Sequence, residues 1–167
     1  AGSTNPGKGA LENVRNGVDR SYSGKYKDHK KYRDIMNNIS AMRKRAFETV
    51  NNKLGLDYKD DFSIIVRFDD DKGEWLRPAH TSSEMYRGTQ HEVVTVFLEH
   101  IVTGTDPGVL LTHEFVHAVM RKKMGSEAFV PLPTWLREGT AVWGSGGLDE
   151  RVKRFIAAGA LRGHHSI

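Results

Sequence analysis

The chain contains no cysteine. That excludes a disulfide scaffold, a thiolate metal site and a cysteine nucleophile. It also lacks any apolar run near the roughly 20 residues that span a bilayer. The longest candidate, Val93–Leu98, has the length of a strand. There are no internal repeats. Prolines number only five, and Pro107, Pro131 and Pro133 stand where helices are expected to begin.

What is present is an ordinary globular composition. The 167 residues are 38% hydrophobic and 28% charged, which suits one domain with a real core. The net charge is +4, but the excess is local. Residues 1–54 carry 12 Lys/Arg against 5 Asp/Glu, and residues 55–167 carry 13 against 16. No aromatic-interleaved binding motif accompanies the basic segment. A solvated helix face is therefore expected there rather than a nucleic-acid site. The small, polar opening AGSTNPGKG has the character of a mature N-terminus or tether and leans towards extracytoplasmic placement. Residues 1–27, rich in glycine, are expected to form a flexible polar leader with a short helix around Leu11–Val18, followed by a single domain over 28–167.

From His29 to Leu54, apolar Ile35, Ile39, Met42, Phe47, Val50 and Leu54 recur at helical steps, and Gly55 offers a stop. Lys30, Lys31, Arg33, Arg43, Lys44 and Arg45 are assigned to the outer face. FSIIVRF (62–68) reads as a strand. DDDKGE follows, but it lacks the alternating acids of a calcium loop and reads as a turn. Glu74–Arg77 is expected to be a second strand, Pro78–Gln90 a polar loop, and Glu92–Leu98 a third strand. Asp106 caps and Pro107 opens a helix to Met124, closed by Gly125. Further helices are expected at Thr134–Trp143, with Trp135 and Trp143 facing the core, and at Leu148–Ala160.

The helix from Pro107 carries the sequence LTHEFVHAVM (111–120). His113 and His117 are a little over one turn apart and leave the same face. That spacing lets two imidazole nitrogens reach one Zn²⁺ at roughly 2.0–2.1 Å. Glu114 lies about 100° around the helix from His113, where it can address a water beside the ion rather than ligate it. This is the H-E-x-x-H arrangement of two ligands and a general base. Leu110, Leu111, Phe115, Val116, Val119 and Met120 make the rest of the helix apolar, so three polar groups there would be costly without a purpose. A catalytic zinc ordinarily takes a third protein ligand. Glu138, in PLPTWLREGTAVW (131–143), is the candidate; Gly139, Thr140 and Ala141 beside it are small enough to let two helices approach.

HEFVH followed by LPTWLREGTAVW resembles the gluzincin zinc metallopeptidases, in particular their minimal (peptidase MA-like) domains, over about Thr112–Trp143. The resemblance implies one Zn²⁺ per chain held by His113, His117 and Glu138, with Glu114 as general base. It implies an α+β, zincin-like fold: a long N-terminal helix, a twisted, mostly antiparallel sheet of about three strands, the metal helix, the Glu-bearing helix and a C-terminal helix. It further implies that Glu92–Leu98 is an edge strand able to bind extended peptide. The expected partner is a peptide or protein substrate, the expected state a monomer. The chain departs from the family pattern in two places. No tyrosine follows Tyr86, leaving His164, His165, Arg137 or Arg151 to stabilise an oxyanion. Ala141, Val142 and Trp143 stand where an acidic residue often supports a histidine ligand. A zinc-stabilised binding module of the same fold, with weak or no turnover, is the alternative to a peptidase.

Overall fold

The computed structural model describes residues 10–71 and 77–145. The expected strand at Glu74–Arg77 falls largely outside these. So do the helix at Leu148–Ala160, Arg151, His164 and His165.

Two short strands come first, β1 (Val14–Arg15) and β2 (Val18–Asp19). The helix α1 spans Lys30–Leu54, and β3 is Ile64–Asp69. Then follow β4 (Ala79–Tyr86), β5 (Thr89–Phe97) and the short helix α2 (Leu98–Val102). The last described elements are α3 (Pro107–Met124), α4 (Ser126–Phe129) and α5 (Thr134–Gly144).

The α+β class holds, but the sheet differs from expectation. It is mixed and five-stranded, in the order β1-β2-β3-β5-β4. β3 runs parallel to both β2 and β5, while β1 and β4 pair antiparallel with their neighbours. A three-stranded, mostly antiparallel sheet is thereby ruled out. Two signals account for the change. Asn16-Gly17, with φ of 50° and 75°, makes a two-residue hairpin turn where a helix over Leu11–Val18 was expected. Arg87-Gly88, at 49° and 78°, makes a second one, folding β4 onto β5.

β5 is consequently central and β4 lies at the edge, the reverse of the expected assignment of Glu92–Leu98. The physical reason lies in burial. A strand enclosed on both faces carries an almost continuous apolar run, as Val93–Leu98 does. An edge strand needs no such run, and AHTSSEMY has the polar composition of a loop.

One face of the sheet packs against α1 and α3. Ile64, Val66, Phe68, Val94 and Val96 meet Ile35, Ile39, Phe47, Val50, Phe115 and Val119 in a single core. Phe47 and Phe115 join the two helices edge-to-face at 4.9 Å. α1 begins at an N-cap His29 and stops at Gly55 in the left-handed region, as its sequence predicts. Its outer face departs at one position: Arg43 is buried, bonding Asp60 Oδ2 at 2.8 Å and the Ile64 carbonyl at 2.8 Å.

Candidate metal centre

α3 matches its sequence signals at both ends. The Asp106 carboxylate accepts from the amides of Gly108 and Val109 at 2.8 and 3.1 Å, Pro107 opens the first turn, and Gly125 follows the last. Fixed in this way and packed on the core through Phe115, Val116 and Val119, the helix presents Val109, His113, His117 and Arg121 at four-residue steps along one cleft. The opposite wall comes from β4. Its Thr81 meets Glu114, and its Ser83 bonds Glu92, which in turn faces Arg121. β4 therefore runs alongside α3 in the same direction. α5 supplies a third wall. Gly144 lets it approach closely: a Cβ there would stand 2.9 Å from Val116 Cγ2. The buried Ala141 packs in the same core. Gly139 has open space around its Cα, so Ala141 and Gly144 make the close contact. Trp135 and Trp143 sit on the outward face and are exposed, against the expectation that they face the core.

The cleft, about 910 Å³, contains all four expected site residues. Glu138 Oε2 lies 3.2 Å from His113 Nε2, and Glu138 Oε1 lies 3.3 Å from His117 Nε2. Candidate donor atoms of the three residues all fall within 4.8 Å of one another, the one such group among the described residues. The fit to a metal can be tested on these distances. Donors at the corners of a tetrahedron with zinc bonds of 2.0–2.1 Å stand roughly 3.3 Å apart. The His–Glu separations are of that order, though each ends on a different Glu138 oxygen, and two imidazoles with a carboxylate are a donor set suited to Zn²⁺. Burial pushes the His117 imidazole below its usual pKa, against the opposing pull of Glu138. That favours the neutral ring with its lone pair available.

Glu114 does not join this cluster. Its carboxylate is buried to 8% exposure, and Thr81 Oγ1 donates to its Oε2 at 2.9 Å. Burial raises its pKa; the Thr81 hydrogen bond and the neighbouring His113 oppose that rise. The result is a held, proton-avid carboxylate beside the two histidines.

The expected oxyanion partners divide. Arg137 lines the cleft, whereas His164, His165 and Arg151 lie outside the described residues. Tyr86 turns away, donating to the Glu12 carbonyl. His80 lines the cleft while stacking on Phe97 at 5.6 Å; His91 sits against the Ser63 carbonyl. Several lining residues escaped the sequence reading, among them Arg121, Thr81 and Phe129. Arg121 was legible in principle, one four-residue step beyond His117. Thr81 and Phe129 carried no local signal, because strand pairing and helix packing bring them in. No family model, curated protein or solved structure matches the chain.

Proposed function

We propose that the chain is a zinc-dependent metallopeptidase that hydrolyses peptide bonds with a water as nucleophile. The observation that carries this reading is the convergence of candidate donor atoms of His113, His117 and Glu138 within 4.8 Å of one another, with Glu114 held apart by Thr81.

His113, His117 and Glu138 would hold the ion. Zinc bound there lowers the pKa of its water towards about 7 and polarises a carbonyl. The rest of the chemistry belongs to the chain. The neutral imidazoles donate their Nε2 lone pairs, and the Glu138 carboxylate offsets charge. Glu114 takes a proton from the attacking water and returns it to the leaving amine. A raised proton affinity suits both transfers. β4, whose outer edge is unpaired among the described residues, offers backbone groups for an extended peptide beside Glu114. No helix among the described residues is long and apolar enough to cross a membrane.

The alternative is a zinc-stabilised module that binds peptide without turnover. It is favoured by the lack of a tyrosine or histidine facing the metal ligands from α5. Elemental analysis and a peptidase assay separate the two. Wild type should carry one zinc and hydrolyse peptide. Glu114→Gln should keep the zinc and lose at least about 100-fold in rate, the scale of a general-base contribution. Glu138→Ala should lose or sharply weaken zinc binding. Zinc without hydrolysis across a broad peptide set selects the binding module. No zinc after reconstitution removes both readings.

A further inference from the structure

We propose that the Arg121–Phe129–Arg137 corner of the cleft is a subsite for a carboxylate of the bound peptide. This rests on the reading of the cleft as a peptide site.

The cleft follows α3, and its two ends differ in chemistry. From Val109 to Arg121 the helix axis rises about 18 Å, with His113 and His117 in the middle. The first end is lined by Phe97, Val109 and Leu110, and by the charges Asp71, Arg77 and Asp106. The second end is built from two arginines and a ring. The guanidinium carbons of Arg121 and Arg137 lie 5.1 and 5.8 Å from the centroid of Phe129, itself buried.

The ring orients both guanidiniums through their faces, which leaves the N–H donors at their edges unspent. A guanidinium carries five such donors. Arg137 spends one, on Thr134 Oγ1 at a long 3.4 Å. Arg121 spends one, on Glu92 Oε2 at 3.5 Å. The Nε of each is buried without a hydrogen-bond partner. Of the acids nearby, the buried Glu92 is already Arg121's ion-pair partner at 3.5 Å and accepts from Ser83 at its Oε1, and Glu138 faces the two histidines, so Arg137 has no acidic partner of its own among the described residues. Two like charges gathered on one ring repel each other, so an anion placed against them relieves both. A carboxylate matches the planar fork in a way that a neutral amide does not. A peptide supplies one either as an acidic side chain or as its C-terminal group.

The test is equilibrium binding of dye-labelled hexapeptides to the zinc-loaded Glu114→Gln protein, where no turnover intervenes. Three kinds are compared: neutral and capped at both ends; capped with a single glutamate scanned through the positions; and neutral with a free C-terminus. An acidic peptide is expected to bind about tenfold more tightly than the neutral one, the worth of one charge-assisted hydrogen bond. That preference should shrink to about twofold or less in Arg137→Gln, and likewise in Arg121→Gln. A preference carried by the capped glutamate peptides assigns an acidic side chain; one confined to the free C-terminus assigns the terminal carboxylate. Equal binding of all three kinds overturns the subsite. So does a preference that survives in both arginine variants, because the metal itself would then be attracting the carboxylate. Hydrolysis is not read here, so a wild type that binds zinc without turnover leaves this result to stand or fall separately.

Discussion

Thr81 shows how much one hydroxyl can carry at the residue scale. It stands on an edge strand, 33 positions from Glu114, and makes the carboxylate's one hydrogen bond among the described residues. Thr81→Val should cut hydrolysis by about tenfold while leaving zinc stoichiometry unchanged, since it frees the base without touching a ligand. Thr81→Ser should retain activity. Loss of zinc in Thr81→Val would mean that the hydroxyl supports the fold rather than the base. Arg43 makes the same point away from the cleft. Helical periodicity alone places it beside Lys44 and Arg45 on a charged face. Its guanidinium instead lies in the core, over Phe47, Phe62 and Phe115, with Asp60 as counter-ion. Asp60→Ala leaves that charge buried and uncompensated. It should cost about 3 kcal/mol in denaturant unfolding, the lower end for a broken buried pair because Asp60 is partly exposed. A cost under about 1 kcal/mol would show that the Ile64 carbonyl suffices.

Elements decide where Glu138 stands. α5 is a three-turn helix whose inward-facing residues are small: Ala141 is fully buried, and a Cβ at Gly144 would meet Val116 and Leu54. Its tryptophans point outward, so the helix is held by close approach rather than by large apolar side chains. Gly144→Val places two branches against Val116 and pushes the helix outward, carrying Glu138 with it. Zinc affinity should fall by about tenfold or more, since a shift near 1 Å breaks a coordination distance that tolerates only a few tenths. Stability should fall in parallel. Undiminished zinc affinity in a folded Gly144→Val protein would show that Glu138 is positioned by its N-terminal connection instead. The elements themselves were largely legible. α1, α3 and α5 each match their expected bounds to within a residue, because caps, stops and apolar spacing act within a few residues of one another. β1, β2, β4, α2 and α4 were not, because two-residue strands, a polar edge strand and single helical turns have no period to read.

On the scale of the whole molecule, the cleft joins parts that share no local sequence: α3, α5 and β4 meet around a core whose other layer is α1. A ligand bound to all of them couples them. On the proposed reading, zinc held by α3 and α5 at a hundredfold over its dissociation constant would contribute about 2.7 kcal/mol to the folded state. For a chain of this size that raises Tm by roughly 5–11 °C. Thermal unfolding followed by circular dichroism, with and without a chelator, should show the drop, and Glu138→Ala should remove most of it. A Tm indifferent to chelation in wild type would speak against a shared metal. The basic outer face of α1, with Lys30, Arg33, Lys44 and Arg45 exposed, lies apart from the cleft residues and reads as a solvated surface.

By itself the sequence determined the pieces that depend on neighbours in the chain. Two histidines four residues apart must share a helix face, a glutamate after the first must stand to one side, and Asp106, Pro107 and Gly125 must bound that helix. Only the tertiary structure decided strand order, which residues line the cleft, and which face of α5 turns inward. Strand neighbours are chosen by pairing between residues far apart. β3 accepts β5 rather than β4 because Ile64–Asp69 and Val93–Phe97 bury one another across the middle of the sheet, which leaves the polar strand at the edge, where Thr81 reaches Glu114.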